Sequence, residues 1–370
     1  MPLQVNLQRF AKLFHYHNYI RRLFFPKNFS KNLELCVTSP NFVYTKRNDM
    51  DFNFKTIHDF NDYFKDEETC YRFLESQRWN GTPVCPHCAS AKAPYVVKAR
   101  GKFQDIPSYR CSERGCKLPF TVRTGSIFEG SKVELRKWFQ AAYEISTSKK
   151  GISSVELGTR IGVSQKTAWF LNHRIRTMLT NASPEMLEGT VEADETFVGG
   201  KNKNRHASKK VANSQGRAHV DKTAVVGMLQ RNGKIKTCVV PDTSAATLHT
   251  LMLENVAPEA VIITDAYASY KGLEKFFNKH VSVKHTEGCY KTVGDNHTNN
   301  IEGFWSQFKR GVIGIYHYVS PQHLHRYCAE FETRYNGRHE GNVAQFVDLV
   351  KGSDKRRVRY IELTSTPPQP

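Results

Sequence analysis

The sequence of 370 residues predicts an α+β protein of several domains, and three successive patterns support that fold class. Two close pairs of cysteines come first, two helix patterns joined by a short turn come next, and strand patterns mixed with helices follow. We therefore expect a helix with a small metal-bound module at 50–125, a helical domain at 126–185 and an α/β domain with a mixed sheet at 186–350.

The charge of the chain favours a polyanionic partner. It has 54 Lys and Arg against 35 Asp and Glu, and a formal net charge of +19. Such an excess suits nucleic acid first and an anionic membrane surface second. No run approaches the roughly 18 apolar residues of a membrane helix, and nothing resembles a secretory signal. We expect no membrane partner and a cytoplasmic location, near the nucleoid if the source is prokaryotic.

The two ends of the chain differ in composition from the rest. Residues 1–49 carry eight Lys or Arg and two acids, without a clear period. We expect an extension outside the domains that arises from a misplaced start codon, and an organelle transit peptide is the alternative. Residues 351–370 are basic and then rich in Thr and Pro, which predicts a disordered tail.

Four of the nine cysteines have spacings typical of metal ligands. Cys85 and Cys88 form a C-x2-C pair, and Cys111 and Cys116 form a C-x4-C pair after 22 intervening residues. Two short knuckles of this kind supply four thiolates to one tetrahedral Zn²⁺, which leaves no open catalytic position. We therefore expect a zinc ribbon with a structural ion. Four unrelated buried thiols are the alternative. His87 is a possible substitute ligand, but we expect it to be a surface residue of the knuckle.

Two helices with a sharp turn between them are predicted at 153–179. Ser153 and Glu156 form a capping box, Gly162 supplies the turn, and Ser164 caps the second helix. This pattern is typical of a helix-turn-helix, whose second helix enters the major groove of DNA. The side chains expected on the exposed face of that helix are Gln165, Lys166, Thr167, Asn172, His173 and Arg174. An ordinary α-hairpin with a solvated face is the alternative.

Strand patterns dominate from Thr190 onward. Three β-rich runs, the last two joined by an Asn-Gly turn at 231–234, precede a helix, a buried-type strand and another helix. This order of elements predicts an RNase H-like fold. Between the first two strands, residues 201–222 hold seven Lys or Arg and one acid. We expect this segment to bind DNA, with a solvated insertion as the alternative, and its candidate contacts are Lys201, Lys209 and Lys210.

Three carboxylates lie on separate predicted elements of this last region. Asp194 is on the first strand, Asp265 ends the buried strand, and Glu302 is on the following helix. Two Mg²⁺ ions about 3.5–4 Å apart need several rigidly held oxygen ligands. We therefore expect these three acids to form a two-metal phosphoryl-transfer site. Lys309 lies two helical turns beyond Glu302, about 10 Å along the axis, and is expected to contact a phosphate.

Other residues near these acids compete for the same roles. Glu192 and Glu195 lie on the same strand as Asp194, and Glu192 shares its face. Asn299 and Asn300 are alternative metal ligands through their side-chain oxygens, and they are also plausible helix caps.

The sequence resembles the Merlin-type DDE insertion-sequence transposases with an ISXO-like catalytic domain. The resemblance covers about residues 51–350 and rests on ordered motifs: RWNGTPVCPHC, GSIFEGSKVELRKWF, SKKGISSVELGTRIGVSQKTAWFLNHRIR, VEADETFVGGK, GMLQRNGK, ITDAYASYKGL and HTNNIEGFWSQFKRG. It implies DNA cleavage and strand transfer at terminal inverted repeats with Mg²⁺ or Mn²⁺. The implied catalytic residues are Asp194, Asp265, Glu302 and Lys309, although part of the family uses Asn at the third position.

The chain departs from that family pattern in two places, and other functions remain as alternatives. The second knuckle is C-x4-C where C-x2-C is expected, and residues 1–49 have no counterpart. A domesticated, catalytically silent DNA-binding protein is the first alternative, and a cellular nuclease such as a resolvase is the second. Because two DNA ends must be brought together, a homo-oligomer on double-stranded DNA is expected.

Overall fold

The computed structural model of the protein describes seven stretches of the chain, which are residues 54–79, 81–98, 106–179, 185–200, 206–210, 222–283 and 296–365. The predicted extension at 1–49 and the last five residues lie outside these stretches.

The described chain begins with two helices and a small sheet. Helix α1 (Ile57–Tyr63) and helix α2 (Glu67–Trp79) replace the single helical pattern of this region, because Asp66 accepts a hydrogen bond from the amide of Thr69 at 2.8 Å and starts a new helix. Strands β1 (Tyr95–Val97), β2 (Ser108–Arg110) and β3 (Pro119–Phe120) then form an antiparallel sheet in that order.

Three helices follow the small sheet. They are α3 (Leu135–Thr147), α4 (Ser154–Ile161) and α5 (Gln165–Leu179). The Ser153 side chain accepts from the Glu156 amide at 3.1 Å, as an N-cap should. Gly162 has φ +64°, a left-handed value that favours glycine, and it ends α4. The predicted helix, short turn and helix are therefore present.

One hydrophobic core joins the regions predicted as separate domains at 50–125 and 126–185. Phe60, Phe64 and Phe139 belong to one aromatic cluster that also includes Phe346. Phe346 lies on helix α9 (Asn342–Lys351), which was expected to pack in the α/β domain. The described regions before and after residue 126 thus share one core, and a helix from the far end of the chain completes it.

The second half is built on a five-stranded mixed sheet. Its strands are β4 (Thr190–Val198), β5 (Thr223–Gln230), β6 (Ile235–Val240), β7 (Val261–Asp265) and β8 (Lys279–Val283). The order across the sheet is β6-β5-β4-β7-β8; the β4–β5 and β5–β6 pairs are antiparallel, and the β4–β7 and β7–β8 pairs are parallel. This mixed topology confirms the predicted RNase H-like fold.

Two helices pack on opposite faces of this sheet. Helix α6 (Ala245–Asn255) packs with Val191 and Ala193 of β4, and helix α7 (Asn299–Gly311) packs with Val225 and Leu229 of β5. The predicted apolar stripe of α7 is buried, namely Ile301, Phe304, Trp305 and Phe308. A Cβ added at Gly227 would lie 2.7 Å from the ring of Trp305, so glycine at this position lets α7 approach the sheet closely.

A buried ion pair connects α5 with the second half of the chain. Helix α7 continues into a π-helical turn, Val312–Tyr316, and helix α8 (Leu324–Asn336) follows. Arg176 of α5 donates to Glu330 of α8 at 2.5 Å, and the Tyr316 hydroxyl donates to the same carboxylate at 2.6 Å. Burial alone would raise the pKa of Glu330, but the charges of Arg176 and Arg334 outweigh it and lower that pKa to about 2.

The prediction of a disordered tail at 351–370 is wrong for residues 351–365. Helix α10 (Tyr360–Thr364) lies in this segment, and the Leu363 side chain is buried. Asp354 forms an ion pair with Arg78, and the Ser353 carbonyl accepts from the Ile127 amide at 2.9 Å. The basic composition misled the prediction because these contacts come from residues distant in the sequence.

Among the described residues, no helix combines the length and apolar character that crossing a membrane requires.

Candidate active site and metal-ligand clusters

The four predicted zinc ligands meet at one point of the small sheet. The Sγ atoms of Cys85 and Cys116 are 3.8 Å apart, those of Cys88 and Cys111 are 3.6 Å apart, and all four lie within 4.8 Å of one another. A tetrahedral ion with Zn–S bonds of about 2.3 Å would place its sulfurs roughly 3.8 Å apart. The cluster therefore fits a structural zinc ion.

The wider second knuckle keeps the turn geometry of the first. Ala89 follows the first pair with φ +57°, and its amide donates to the Cys85 carbonyl at 2.8 Å. Lys117 follows the second pair with φ +52°, and its amide donates to the Glu113 carbonyl at 3.2 Å. The Glu113 amide also lies 3.4 Å from the Cys111 sulfur, so the extra residues fold back toward that ligand.

His87 does not join the cysteine cluster. Its Nε2 atom lies 3.3 Å from the carbonyl of Pro119, and its side chain is exposed. The expectation that it is a knuckle surface residue, and not a substitute ligand, agrees with this position.

The strand register places Asp194 and Asp265 side by side. Strands β4 and β7 are parallel and pair Ala193 with Thr264, so the next residue of each strand is an aspartate. Ligand oxygens of Asp194, Glu195 and Asp265 lie within 4.8 Å of one another. Three carboxylates this close offer the hard oxygen atoms that a divalent cation such as Mg²⁺ prefers.

The segment after β7 holds two of these acids in place. The Tyr267 amide donates to Asp265 Oδ1 at 2.9 Å, and the hydroxyl of buried Tyr270 donates to Glu195 Oε2 at 2.9 Å. Sequence reasoning missed Tyr270 and treated Glu195 only as a competitor of Asp194. The available signal was the pair of tyrosines within five residues of Asp265.

Asp194 lies where a negative charge is unfavourable. Burial, followed by the charges of Glu195, Asp265 and Glu302, raises the pKa of Asp194 to about 7. A hydrogen bond from the Glu195 backbone acts in the opposite direction. A bound cation would offset this repulsion and hold the carboxylates ionised.

Glu302 faces this site but stands outside the group of three. It lies in the first turn of α7, and its Oε1 atom accepts from the Thr298 hydroxyl at 2.9 Å. It contributes to the raised pKa of Asp194, yet it is not among the acids within 4.8 Å. Lys309 is exposed in the last turn of the same helix.

Glu192, a competitor for the role of Asp194, has a different position. Its buried carboxylate accepts from the backbone amides of Asn300 and Ile301 at 3.0 and 3.1 Å, and from Arg231 Nε at 2.8 Å. The side-chain amide of Asn300 also donates to it, at 2.9 Å. Glu192 thus caps the amino end of α7 from the neighbouring strand, which fixes the helix that carries Glu302.

Only part of the predicted DNA-binding face of α5 is exposed. Gln165 and Lys166 are exposed and Thr167 is half-buried at the start of the helix, and the Gln165 side chain donates to Ser154 at 2.8 Å. A shallow groove between α4 and α5 includes Gly158 and Gly162 in its lining.

The prediction that Asn172, His173 and Arg174 are exposed is wrong. All three are buried, because α5 packs against α3 on one side and α8 on another. The Arg174 guanidinium lies 4.9 Å from the ring centre of Trp138 and 5.1 Å from that of Phe170. Burial lowers the pKa of Arg174 to about 10, so it remains charged at neutral pH but contributes to packing.

The basic segment between β4 and β5 is described only in part. Lys210 is exposed, whereas Lys201 and the side chain of Lys209 lie outside the described residues.

Comparisons with known proteins agree with this arrangement. A family model described as an ISXO2-like transposase domain matches residues 186–336, and one described as a transposase zinc-ribbon domain matches residues 65–118. The chain is 28% identical over 280 residues to an uncharacterized protein in transposable element ISH50 of Halobacterium salinarum, which covers 73% of this chain and 91% of that protein.

Two further similarities differ in strength. An uncharacterized transposase-like protein of Haemophilus influenzae is 30% identical over 121 residues, covering 32% of this chain and 96% of that protein. The solved Mos1 strand transfer complex covers 56% of this chain and 77% of its own, at 13% identity and a TM-score of 0.18. A structural likeness that weak carries no argument about this chain.

A zinc ribbon ahead of an RNase H-like domain, with acids on neighbouring strands, defines a member of the nuclease and transferase class. More particularly, the chain belongs to the ISXO2-like transposase family.

Proposed function

We propose that the chain is a DNA transposase that binds terminal inverted repeats and catalyses metal-dependent cleavage and strand transfer. The observation that supports this most directly is the register of β4 and β7, which places Asp194 beside Asp265. The two aspartates lie 71 positions apart in the sequence, so they meet only because their strands pair in this register. A protein that only bound DNA would have no need of half-buried acids held this close.

The proposed metal ligands are Asp194 and Asp265, with Glu302 supplied by α7. When bound, Mg²⁺ or Mn²⁺ would activate the attacking oxygen and stabilise the leaving oxygen of an in-line displacement. The role of the chain is to hold its carboxylates at the end of a rigid sheet and to orient α7 through Glu192. Lys309 is proposed to contact a phosphate, because it is exposed on the same helix as Glu302.

The proposed DNA-binding surface is smaller than the sequence suggests. Gln165, Lys166 and Thr167 at the start of α5 can present polar and basic groups to the major groove. Lys210 and the basic segment around it, including Lys201 and Lys209, would contact the phosphate backbone. The zinc ion held by the cysteine cluster would stabilise the amino-terminal module, and a homo-oligomer would bring two ends together.

The experiment is a cleavage assay on labelled DNA that carries the element's own ends. Zinc-loaded protein is incubated with Mn²⁺ or without any added divalent ion; a chelator is avoided because it would also strip the structural zinc. We expect metal-dependent nicking at the repeat boundary, lost in Asp265→Asn while DNA binding is retained.

The matched control is Glu259→Gln, which removes an exposed acid just before β7. It should cut like the wild type. Cleavage by Asp265→Asn at the wild-type rate would reject the proposed site. Tight binding of the ends by the wild-type protein with no cleavage would instead support a catalytically silent DNA-binding protein.

A further inference from the structure

The acid nearest the two aspartates is one that the family resemblance does not assign. Glu195, not Glu302, has an oxygen within 4.8 Å of the Asp194 and Asp265 oxygens. Because side chains alternate along a strand, Glu195 starts on the face of β4 that also carries Ala193, which packs toward α6. Its carboxylate must therefore reach around the strand to meet Asp194.

The sheet leaves room for this path. Strand β7 pairs with β4 only from Thr190 to Ala193, whereas β4 continues to Val198. Beyond the end of that ladder, no strand among the described residues pairs with the edge of β4 next to Asp265, so a long side chain can lean along it.

Burial and a hydrogen bond hold the Glu195 side chain in this position. Its side chain is buried, with 8% of the residue exposed, and its Oε2 atom accepts from the Tyr270 hydroxyl at 2.9 Å. Tyr270 is itself 1% exposed and packs in the core beneath α6. A buried carboxylate that accepts a hydrogen bond from a buried hydroxyl, and that has an oxygen within 4.8 Å of two other carboxylates, is typical of a metal ligand with a supporting outer contact.

We propose that Glu195 is a ligand of the divalent metal in the DNA-free protein, together with Asp194 and Asp265, and that Tyr270 is the residue that positions it. This inference rests on the proposed metal centre. The occupant is a hard divalent cation with oxygen ligands, Mg²⁺ or Mn²⁺. Two oxygens on one such ion are at most about 4.2 Å apart, given bonds of about 2.1 Å, so the three acids need only a small closure.

The test is a calorimetric titration of Mn²⁺ into the full-length, zinc-loaded protein without DNA. Glu195→Gln should weaken binding by at least about tenfold, since it removes a charged ligand but keeps the shape and the hydrogen bond to Tyr270. Glu302→Gln should weaken binding less than Glu195→Gln does, because Glu302 stands outside the cluster before DNA arrives. The matched control is Glu259→Gln, which removes an exposed acid outside the cluster and should leave the affinity unchanged. Asp194→Asn tests the centre itself and should abolish binding.

Tyr270→Phe distinguishes positioning from general stability. On its own it should weaken Mn²⁺ binding by roughly tenfold. Combined with Glu195→Gln it should add no further loss, because a residue that acts through Glu195 has nothing left to position. Thermal unfolding and zinc content are measured on every variant, so that an effect of misfolding is recognised.

The outcomes separate the two claims. Unchanged Mn²⁺ binding in Glu195→Gln, with binding lost in Asp194→Asn, would overturn the role of Glu195 and leave the proposed function standing. The same would follow from a loss in Glu302→Gln without one in Glu195→Gln. Wild-type binding by Asp194→Asn would instead reject the metal centre on which both proposals depend.

Discussion

The two metal-ligand clusters of this chain differ in how far the fold alone completes them. The cysteine cluster draws its four ligands from two turns within 32 consecutive residues, and all four sulfurs already lie at distances that suit one ion. The acidic cluster draws its three acids from two strands, and Glu302 of α7 stands outside it. Four thiolates complete the coordination of one zinc ion, whereas three carboxylates alone do not complete the six or more ligands of a hard divalent cation.

The same contrast recurs between chemically similar residues elsewhere. Glu192 accepts four hydrogen bonds from Asn300, Ile301 and Arg231. Asp194, two residues away, is surrounded by other carboxylates whose negative charges raise its pKa. Arg174 stacks on aromatic rings inside the protein, while Lys166 is exposed. In each pair, the first residue stabilises the fold. The second has a charge that the fold does not neutralise, and such a charge is what a site for an ion or for DNA requires.

The largest effect is expected from breaking the cysteine cluster. Cys85→Ser removes one of four zinc ligands, and we expect zinc loss and a fall of more than about 5 kcal/mol in the free energy of unfolding of the amino-terminal core, given the strength of structural zinc binding. Asp265→Asn should leave that free energy within about 1 kcal/mol of the wild type. Elemental analysis and urea unfolding measure both, and full zinc content in Cys85→Ser would contradict the comparison.

A smaller loss is expected from Glu192→Gln. The change removes the negative charge that Arg231 Nε contacts and weakens the cap of α7, and breaking a buried pair typically costs about 3–5 kcal/mol. We expect lower stability in urea unfolding and slower cleavage, because Glu302 is carried by the same helix. A Glu192→Gln protein as stable as the wild type would show that α7 is held chiefly by its apolar stripe.

The sequence predicts those parts of the molecule that depend on local spacing. The zinc ligands, the turn at Gly162 and the buried stripe of α7 all follow from intervals of a few residues. Asp265 was predictable because it ends an apolar strand.

Contacts between distant segments were beyond the reach of sequence patterns. Glu192 meets Asn300 across 108 positions, and nothing near either residue indicates it. The burial of Arg174 depends on α3, whose Trp138 ring lies against its guanidinium, and α8 packs elsewhere on α5. The sequence pattern therefore made a helix with two covered faces look like one with a polar face. The structured segment 351–365 was missed for the same reason, since its partners lie near residues 78 and 127.

The charge on Asp194 gives a prediction with a defined pH dependence. Its pKa is raised to about 7 from an ordinary value of 3.8, chiefly by burial, so the folded protein binds this proton more tightly than the unfolded chain. Between those values the free energy of unfolding falls as the pH rises, because the unfolded state holds fewer protons. Asp194→Asn removes that effect.

We compare the free energies of unfolding of zinc-loaded Asp194→Asn and wild-type protein without Mg²⁺. We expect the difference between them to shift by about 2 kcal/mol in favour of Asp194→Asn as the pH rises from 5 to 8. Urea unfolding at the two pH values measures this. Saturating Mg²⁺ should raise the free energy of unfolding of the wild type more than that of Asp194→Asn, since binding stabilises only the protein with an intact site. A constant difference at both pH values would show that Asp194 is not destabilised by its surroundings.

The smallest effect concerns the paired basic residues of α5. Lys166→Ala should weaken binding to the DNA ends by about 1 kcal/mol and reduce the salt dependence by about one counterion, because it removes one exposed phosphate contact. Arg174→Ala should instead lower the free energy of unfolding by about 2 kcal/mol through lost stacking, with the slope against salt unchanged. Binding across a salt series and urea unfolding separate the two. If Arg174→Ala flattened the salt slope while Lys166→Ala left it alone, the buried guanidinium would have to reach DNA through a rearrangement of α5, and the division between fold-stabilising and DNA-binding residues would fail at this helix.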